Sequence, residues 1–278
     1  DSPNTEAQRA AQVVEELGYG ALWVAEAVGR DPFVSSALLL SATERLVIAT
    51  GIANIYARDP MTMAAGQKTL AEAFPGRFLL GMGVSHAHLV SNLRRHDYSK
   101  PYSYMADYLS RMDEALFMAV GPEDDGGRVL AALGPRMLTL ATTSANGAHP
   151  YFTTPEHTFT ARRTMGDDAL LAPEQMAVLD TDPAEARRIA RAGMAVYMRA
   201  PNYLNNLRRL GFDDDDLADG GSNRLVDAIV AWGTEAEIAA RVAEHHEAGA
   251  DHVCLQILQD GLGMPEDRWR RLAPILLN

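Results

Sequence analysis

The stretch "RFLLGMGVSHAHLVSNL", residues 77–93, decides between the fold classes open to this chain. Four of the five residues in 78–82 are apolar, as expected for a parallel strand that is buried on both faces. The run then ends in Gly83, a valine, Ser85 and two histidines. Glycines, a hydroxyl and imidazoles after a core strand indicate a phosphate loop, a metal site or the mouth of a barrel where a flat ligand lies on the backbone.

The same alternation of short apolar runs and helical stretches continues along the whole chain. Asp59–Pro60, Thr154–Pro155 and Asp182–Pro183 each place a capping side chain before a proline, which marks the start of a helix. Such a rhythm predicts a doubly wound sheet or a (β/α)₈ barrel, and the absence of a full three-glycine dinucleotide fingerprint favours the barrel. The six further strand-like runs are residues 19–25, 45–55, 128–134, 148–152, 170–179 and 251–258.

The fold prediction is therefore an α/β class, (β/α)₈ TIM barrel, forming a single domain over residues 1–278. Only seven strands are visible and the chain opens on a predicted helix, so we expect the first barrel strand to precede Asp1. Insertions near 85–103 and 200–233 interrupt the rhythm, and insertions after barrel strands usually shape the active site. The four aspartates 213–216 are predicted to be a solvated turn or a helix start, and residues 200–233 otherwise extra helix.

Composition narrows the classes of partner. A formal net charge of −12 gives no electrostatic basis for binding nucleic acid. No apolar run approaches the roughly 18 residues needed to span a bilayer, so no membrane partner is predicted. The single cysteine, Cys254, lies in an apolar run, excludes a disulfide framework and fits a reducing cytoplasm. We expect a cytoplasmic protein that acts on a small-molecule substrate.

His86 is the candidate catalytic residue, because an imidazole titrates near neutrality and can move a proton. A metal bound by His86 and His88 would need a further histidine and an aspartate at later strand ends, and no suitable aspartate is present. No metal is therefore predicted, and His88 is expected to face solvent or cap a helix. Gly83, Val84 and Ser85 either let a planar ligand approach the backbone or form a strand bulge without a ligand.

Other strand ends carry further candidates, each with an ordinary structural alternative. Gly134, Pro135 and Arg136 open a helix directly after a strand, where an anion could bind, or they form a plain helix start with a surface arginine. His149 and Tyr151 would line a substrate pocket at the next strand end, although Tyr151 could equally be core. The pair His245–His246 is predicted to lie on the surface of a helix.

Taken together, four segments resemble the bacterial luciferase-like family, and most of all its deazaflavin-dependent branch, which uses coenzyme F420. The most specific is 49–87, with Thr-Gly-aliphatic, Arg-x-Pro and then Pro-x-Arg-aromatic-x-x-Gly-x-Gly; the others are 15–27, 133–157 and 248–258. The resemblance implies a (β/α)₈ barrel with the cofactor at its C-terminal mouth. It also implies a homodimer.

The resemblance carries over to individual positions of this chain. The bond Gly51–Ile52 matches a non-prolyl cis peptide that supports the deazaflavin ring, and Asn54 and Glu26 match residues beside the ring. In the family, one stretch of chain runs past the ring and the phosphate-bearing tail of the cofactor, and it corresponds here to Gly83, Val84, Ser85 and His86. The start of the family's phosphate-side helix corresponds to Gly134, Pro135 and Arg136.

The chain departs from the family's sugar-phosphate dehydrogenases at two positions. Ala27 stands where those enzymes have a catalytic histidine, and His86 stands where they have a glutamate, so His86 is the remaining candidate for the proton step. The predicted function is hydride transfer between F420 and a small organic substrate. The alternatives are an FMN-dependent monooxygenase of the same family and a catalytically silent flavin or deazaflavin binder.

Overall fold

The computed structural model describes residues 3–261 and 263–277 of the chain. The described elements run in the strand–helix order that the sequence predicts, beginning with a helix. The helices are α1 (Asn4–Glu16), α2 (Pro32–Ala42), α3 (Pro60–Ala73), α4 (Pro101–Asp113), α5 (Pro135–Thr143), α6 (Pro155–Met165), α7 (Pro183–Met194), α8 (Pro201–Arg209), α9 (Asp214–Leu217), α10 (Asn223–Ile229), α11 (Glu235–Glu247) and α12 (Glu266–Leu276). The strands are β1 (Ala21–Val24), β2 (Val47–Thr50), β3 (Ala53–Asn54), β4 (Phe78–Gly83), β5 (Arg128–Leu130), β6 (Gly147–Ala148), β7 (Leu170–Leu171), β8 (Glu174–Val178), β9 (Val230–Trp232) and β10 (Cys254–Ile257).

The chain divides into two compact units, which we call the N-terminal unit (Ser2–Ala132 with Arg136–Ala148) and the C-terminal unit (Leu133–Pro135 with His149–Asn278). The prediction of a single domain stays a prediction. In the described residues no helix is both long enough and apolar enough to cross a bilayer.

A parallel sheet forms the centre of the N-terminal unit. Its strands follow the order β1–β2–β4–β5–β6, and β3 adds to β4 through the pairs Ala53–Met82 and Asn54–Gly83. Ile48, Leu80 and Met82 are fully buried, which is the two-faced burial that their unbroken apolar runs predict. The first residues of α2 and α3 are capped by the Asp31 and Asp59 side chains, each before a proline.

The C-terminal unit is built around β8, which is covered on both faces. It pairs in parallel with β10 on one side and with β9 on the other. Met176 and Val178 belong to an apolar cluster with α7, α8 and α10, whereas Ala177 and Leu179 pack with Ile238 of α11 and Leu272 of α12. Every residue of β8 is buried, so its side chains alternate between two separate cores.

Two strand predictions need correction. The segment 200–233 was expected to hold extra helix and an acidic loop, but it also contains β9, whose three residues pair with β8. So short a run directly after α10 carries no pattern of its own, and long-range pairing decides its conformation. The predicted strand 148–152 forms only as β6, because Pro150 has no N–H to donate and Phe152 has a left-handed φ of +56°.

The prediction that His245 lies on the surface is wrong. It is fully buried in α11, with Nδ1 2.8 Å from the Thr158 hydroxyl and Nε2 2.9 Å from the Gln175 side-chain oxygen. Burial lowers the pKa of His245 to about 4, so the ring is neutral near pH 7. The helix-start prediction for 213–216 is confirmed, since Asp213 caps α9.

Candidate functional site

A sharp bend at Gly51–Ile52 joins β2 to β3 in the N-terminal unit, and β3 then pairs with the carboxyl end of β4. The Gly51–Ile52 peptide bond is cis, as the resemblance implied. The Gly51 N–H donates to the Val24 carbonyl at 2.8 Å, so the bend begins while β2 is still bonded to β1. Beyond it, Asn54 pairs with Gly83 of β4. The predicted ring-binding residues on these two strands therefore lie next to each other.

Close approach between the strands explains why β4 carries glycines. A Cβ atom at Gly81 would lie 1.9 Å from the Thr50 carbonyl oxygen, and one at Gly83 would lie 2.6 Å from Cδ1 of Ile52. The Thr50 hydroxyl also bonds to both the carbonyl and the N–H of Gly81, at 2.7 and 2.9 Å. The missing side chains thus make room for the bend, and direct contact of Gly83 with a ring stays a prediction.

A Gly81→Ala variant should be strongly destabilised. The added methyl group would meet backbone atoms, which cannot rotate away as a side chain can, so we expect a loss of about 3 kcal/mol or more in the free energy of unfolding. Gly29→Ala is the matched control, because no atom lies within 4 Å of its Cβ position. Urea unfolding of both variants measures the effect, and equal midpoints would contradict this explanation of Gly81.

Glu26 holds the backbone just after the bend. One carboxylate oxygen accepts from the Asn54 N–H at 2.7 Å, and the two oxygens together accept from both terminal nitrogens of Arg58 at 2.8 and 2.9 Å. Only 6% of the Glu26 side chain is exposed, and Arg94 lies 3.6 Å away. A planar pair of this kind restrains both side chains. Glu26 therefore has a structural role, which is to bind the Asn54 N–H and the Arg58 side chain. Its contact with a cofactor ring stays a prediction.

Arg58 is a site residue to which the sequence analysis gave no function. It belongs to the Arg-x-Pro pattern before α3, and it also bonds to Asp31 at 3.0 Å. Its carbonyl oxygen accepts from the Tyr108 hydroxyl at 2.8 Å. The signal in the sequence was the pattern itself, but the carboxylates that it binds lie 27 and 32 residues away.

His86 lies half-buried just beyond the end of β4. Ser85 before it has a left-handed φ of +57°, which is uncommon for a serine. His88 is exposed, as predicted, and its Nδ1 lies 3.0 Å from the Asn92 side-chain nitrogen within a short π-helix, His88–Leu93. No cluster of three metal-ligating side chains occurs in the part of the chain that the structure describes.

The predicted phosphate-side helix, α5, begins at Pro135 as expected. The first N–H groups of a helix have no intrahelical acceptor and attract anions. Arg136 is exposed, its guanidinium lies 4.0 Å from the centre of the Tyr102 ring, and no carboxylate pairs with it in the described residues. Its charge is therefore available to a ligand.

A second guanidinium, missed by the sequence analysis, lies beside Gly134 in the C-terminal unit. The nearest atom to a Cβ built on Gly134 is a terminal nitrogen of Arg209, at 3.8 Å, so the backbone there is open to close approach. Arg209 donates to the Asn206 side-chain oxygen at 3.0 Å, and we find no carboxylate paired with it among the described residues. It belongs to α8, inside the insertion that was expected to shape the site.

The two predicted substrate-pocket residues have different surroundings in the C-terminal unit. The Tyr151 hydroxyl is half-buried and bonds to the Tyr197 hydroxyl at 2.7 Å and to the Gln256 side-chain oxygen. His149 is 2% exposed, its Nδ1 lies 2.6 Å from the Ala172 carbonyl oxygen, and burial lowers its pKa to about 4. Contact of either residue with a substrate stays a prediction.

Glu174 is a buried acid that the sequence analysis passed over. It is 1% exposed at the start of β8, where one oxygen accepts from the Phe152 N–H at 3.1 Å and the other has no partner among the residues that the structure describes. Burial raises the pKa of Glu174 to about 8, although the Phe152 hydrogen bond works in the other direction. Its only signal in the sequence was one charge inside an apolar run.

Fold and site together describe an α/β enzyme-type scaffold with a prospective ligand site at the carboxyl ends of parallel strands. Residues 2–252 match the model of the luciferase-like monooxygenase family, and the chain belongs to this family. A Mycobacterium tuberculosis protein named "Putative coenzyme F420-dependent oxidoreductase Rv3520c" is 25% identical over 84% of this chain and 86% of its own length.

Solved structures show the same fold. An F420-dependent secondary alcohol dehydrogenase in complex with an F420-acetone adduct superposes with a TM-score of 0.80 at 16% identity, over 100% of this chain and 96% of that one. The FMN complex of the oxygenating constituent of 3,6-diketocamphane monooxygenase, from a Pseudomonas putida plasmid, superposes with a TM-score of 0.70 at 13% identity, over 99% and 91%. The predicted luciferase-like TIM-barrel class is confirmed by these likenesses.

Proposed function

We propose that this protein is an F420-dependent oxidoreductase that transfers a hydride between the deazaflavin and a small organic substrate. The observation that carries the proposal is the half-buried His86 at the end of β4, directly beyond the strand that pairs with the β2–β3 bend. An imidazole at a strand end can give or take the proton that must accompany a hydride. The F420-dependent relative and the F420-bound structure support this choice of cofactor.

The residues present fit an anionic cofactor. The chain carries a formal net charge of −12, yet Arg136 and, separately, Arg209 each have no carboxylate partner in the described residues. Unpaired guanidinium groups in an acidic protein attract phosphate, which they can bind through two parallel hydrogen bonds. Gly134, Pro135 and Arg136 at the start of α5 would hold the phosphate of the cofactor tail.

The remaining site residues would divide the work as follows. Ile52 and Asn54 hold the ring against β4, and Glu26 with Arg58 keeps the backbone of Asn54 in place. Val84 and Ser85 would run along the ring and tail, and His86 would give the substrate a proton or take one from it. The bound deazaflavin supplies the hydride chemistry, while the protein supplies orientation and charge.

An FMN-dependent monooxygenase is the second candidate, because an FMN-bound member of the same fold superposes over 99% of the chain. A catalytically silent flavin binder is the third, since a fold does not guarantee activity. A cytoplasmic location and a homodimeric state are also proposed, on the single cysteine and the family resemblance. The substrate is proposed only as a small organic molecule.

Titration with F420 and, separately, with FMN tests the proposal. Binding is followed by quenching of tryptophan fluorescence, for which Trp23 of β1 lies in the N-terminal unit. We expect F420 to bind at least about tenfold more tightly than FMN, a difference of ~1.4 kcal/mol. A preference for FMN would favour the monooxygenase, and saturation by neither ligand would overturn both cofactor proposals.

A further inference from the structure

Hydrogen bonds anchor both peptide groups that flank His86, and only one of the two anchors is a side chain. After His86, its carbonyl oxygen accepts from the Val90 N–H at 3.0 Å. Before it, the Ser85 carbonyl oxygen accepts from the Tyr98 hydroxyl at 2.9 Å. Because each peptide group is planar, holding both planes restrains φ and ψ of His86 and with them the direction of its side chain.

The Ser85 conformation makes the tyrosine anchor important. A serine with φ of +57° is held in a region that favours glycine, and such a residue stays there only where its surroundings restrain it. Without the bond from Tyr98, Ser85 could return to an ordinary backbone conformation. That rotation would turn the next peptide group and swing the His86 ring.

Tyr98 is itself held by packing. Its ring lies 5.7 Å from the ring of Tyr56, and Tyr56 stacks on Tyr104 with 4.5 Å between ring centres. Tyr56 is buried, and Tyr98 is half-buried against it. Burial raises the pKa of Tyr98 to about 12, so its hydroxyl keeps the proton that it donates throughout the usual pH range.

We propose that Tyr98 is a positioning residue for His86, holding the Ser85 carbonyl so that the imidazole keeps a single orientation. Its hydrogen bond to Ser85 joins two residues thirteen positions apart, and so fixes the insertion 85–103 to the end of β4. The inference rests on the proposed role of His86 in moving a proton. Nothing in it requires Tyr98 to touch the substrate or the cofactor.

Tyr98→Phe removes only the hydroxyl and is the test variant. Tyr104→Phe is the matched control, because Tyr104 stands in the same ring cluster and its hydroxyl makes no hydrogen bond in the described residues. In F420-dependent turnover we expect kcat of Tyr98→Phe to fall about tenfold or more, with KM within about twofold, since small misplacements of a reacting group cost rate. The control should match the wild-type protein, and the pH profile of kcat should shift in Tyr98→Phe alone.

A second readout needs neither cofactor nor substrate. The ring signals of the eight histidines are recorded by ¹H–¹³C NMR, and the His86 signal is identified by its absence in His86→Ala. We expect that signal to broaden or move in Tyr98→Phe and to stay in place in Tyr104→Phe. An unchanged His86 signal together with wild-type kcat in Tyr98→Phe would overturn the inference.

The two proposals fail in different ways. If His86→Ala turns over F420 as fast as the wild-type protein, the proposed function loses its proton-transferring residue. If His86→Ala is slow but Tyr98→Phe is normal by kcat and by NMR, only the positioning role of Tyr98 falls. If F420 does not bind, the NMR comparison still decides whether Tyr98 orients His86.

Discussion

Hydride transfer by the His86→Ala variant should be slower than that of the wild-type protein by about 10²–10⁴-fold, the usual contribution of a positioned acid or base. The reason is local. Of the histidines in the loop after β4, His88 and His96 are exposed, whereas His86 is half-buried and follows by three positions Gly83, the partner of Asn54. Stopped-flow or steady-state loss of deazaflavin absorbance measures the rate.

The binding of F420 should stay within about twofold in the same variant, because the proposed phosphate contacts come from α5 and not from the imidazole. His88→Ala is the matched control: it removes an exposed histidine two positions away, whose contact is Asn92. We expect the control to retain wild-type rates. Equal losses in both variants would point to a disturbed loop instead of a lost proton donor.

The Glu174→Gln variant should gain stability over the wild-type protein as the pH rises, by up to ~5 kcal/mol near pH 8.5. In the folded protein burial raises the pKa of Glu174 to about 8 from an ordinary value of 4.5. Between these values the folded chain keeps a proton that the unfolded chain releases, so wild-type stability falls as the pH rises, by about 1.4 kcal/mol per pH unit. Glutamine cannot ionise and keeps a side-chain oxygen for the Phe152 N–H.

Other ionisable side chains do not change how the stability difference between Glu174→Gln and the wild-type protein depends on pH. Burial raises the pKa of Cys254, Tyr151 and Tyr197, so all three remain uncharged through this range. His149 and His245 oppose the trend only on the acid side, because their pKa values of about 4 make stability fall as the pH drops below about 6.5. Both proteins share that effect, so it cancels in the difference.

Urea unfolding of both proteins from pH 5 to pH 8.5 checks the prediction. Glu72→Gln serves as the control, since Glu72 is exposed in α3 and should change stability by no more than ~0.5 kcal/mol at any pH. A constant difference between Glu174→Gln and the wild-type protein across the range would mean that Glu174 is not held protonated by burial.

Local chemistry in the sequence was enough for most of the framework. Aspartate or threonine before proline correctly marked the first turns of α3, α6 and α7, because a cap and a preset φ act within three residues. Apolar runs correctly predicted β1, β2, β4, β5, β8 and β10 as parallel strands of an α/β fold, although β1 and β10 are only half-buried. The matched family and the cis bond at Gly51–Ile52 also agree with the motifs in 49–87.

Local sequence patterns could not predict contacts between residues that are far apart in the chain. His245 reads as a surface histidine in its helix, yet Thr158 and Gln175, 87 and 70 positions away, enclose it. Glu174 is similar, since the N–H that it binds belongs to Phe152, 22 positions away, and the strand beside it, β10, comes about 80 positions later.

The candidate site separates the features that the sequence determines locally from those that only tertiary contacts determine. A chain's own residues set helix starts and strand periodicity, because those preferences are decided within one or two turns or a few pleats. Tertiary packing alone brings Arg58 to Glu26 and the Tyr98 hydroxyl to the Ser85 carbonyl. Hydrogen bonds and burial act through space, so the partners and the charge state of a buried side chain exist only once the strands are side by side.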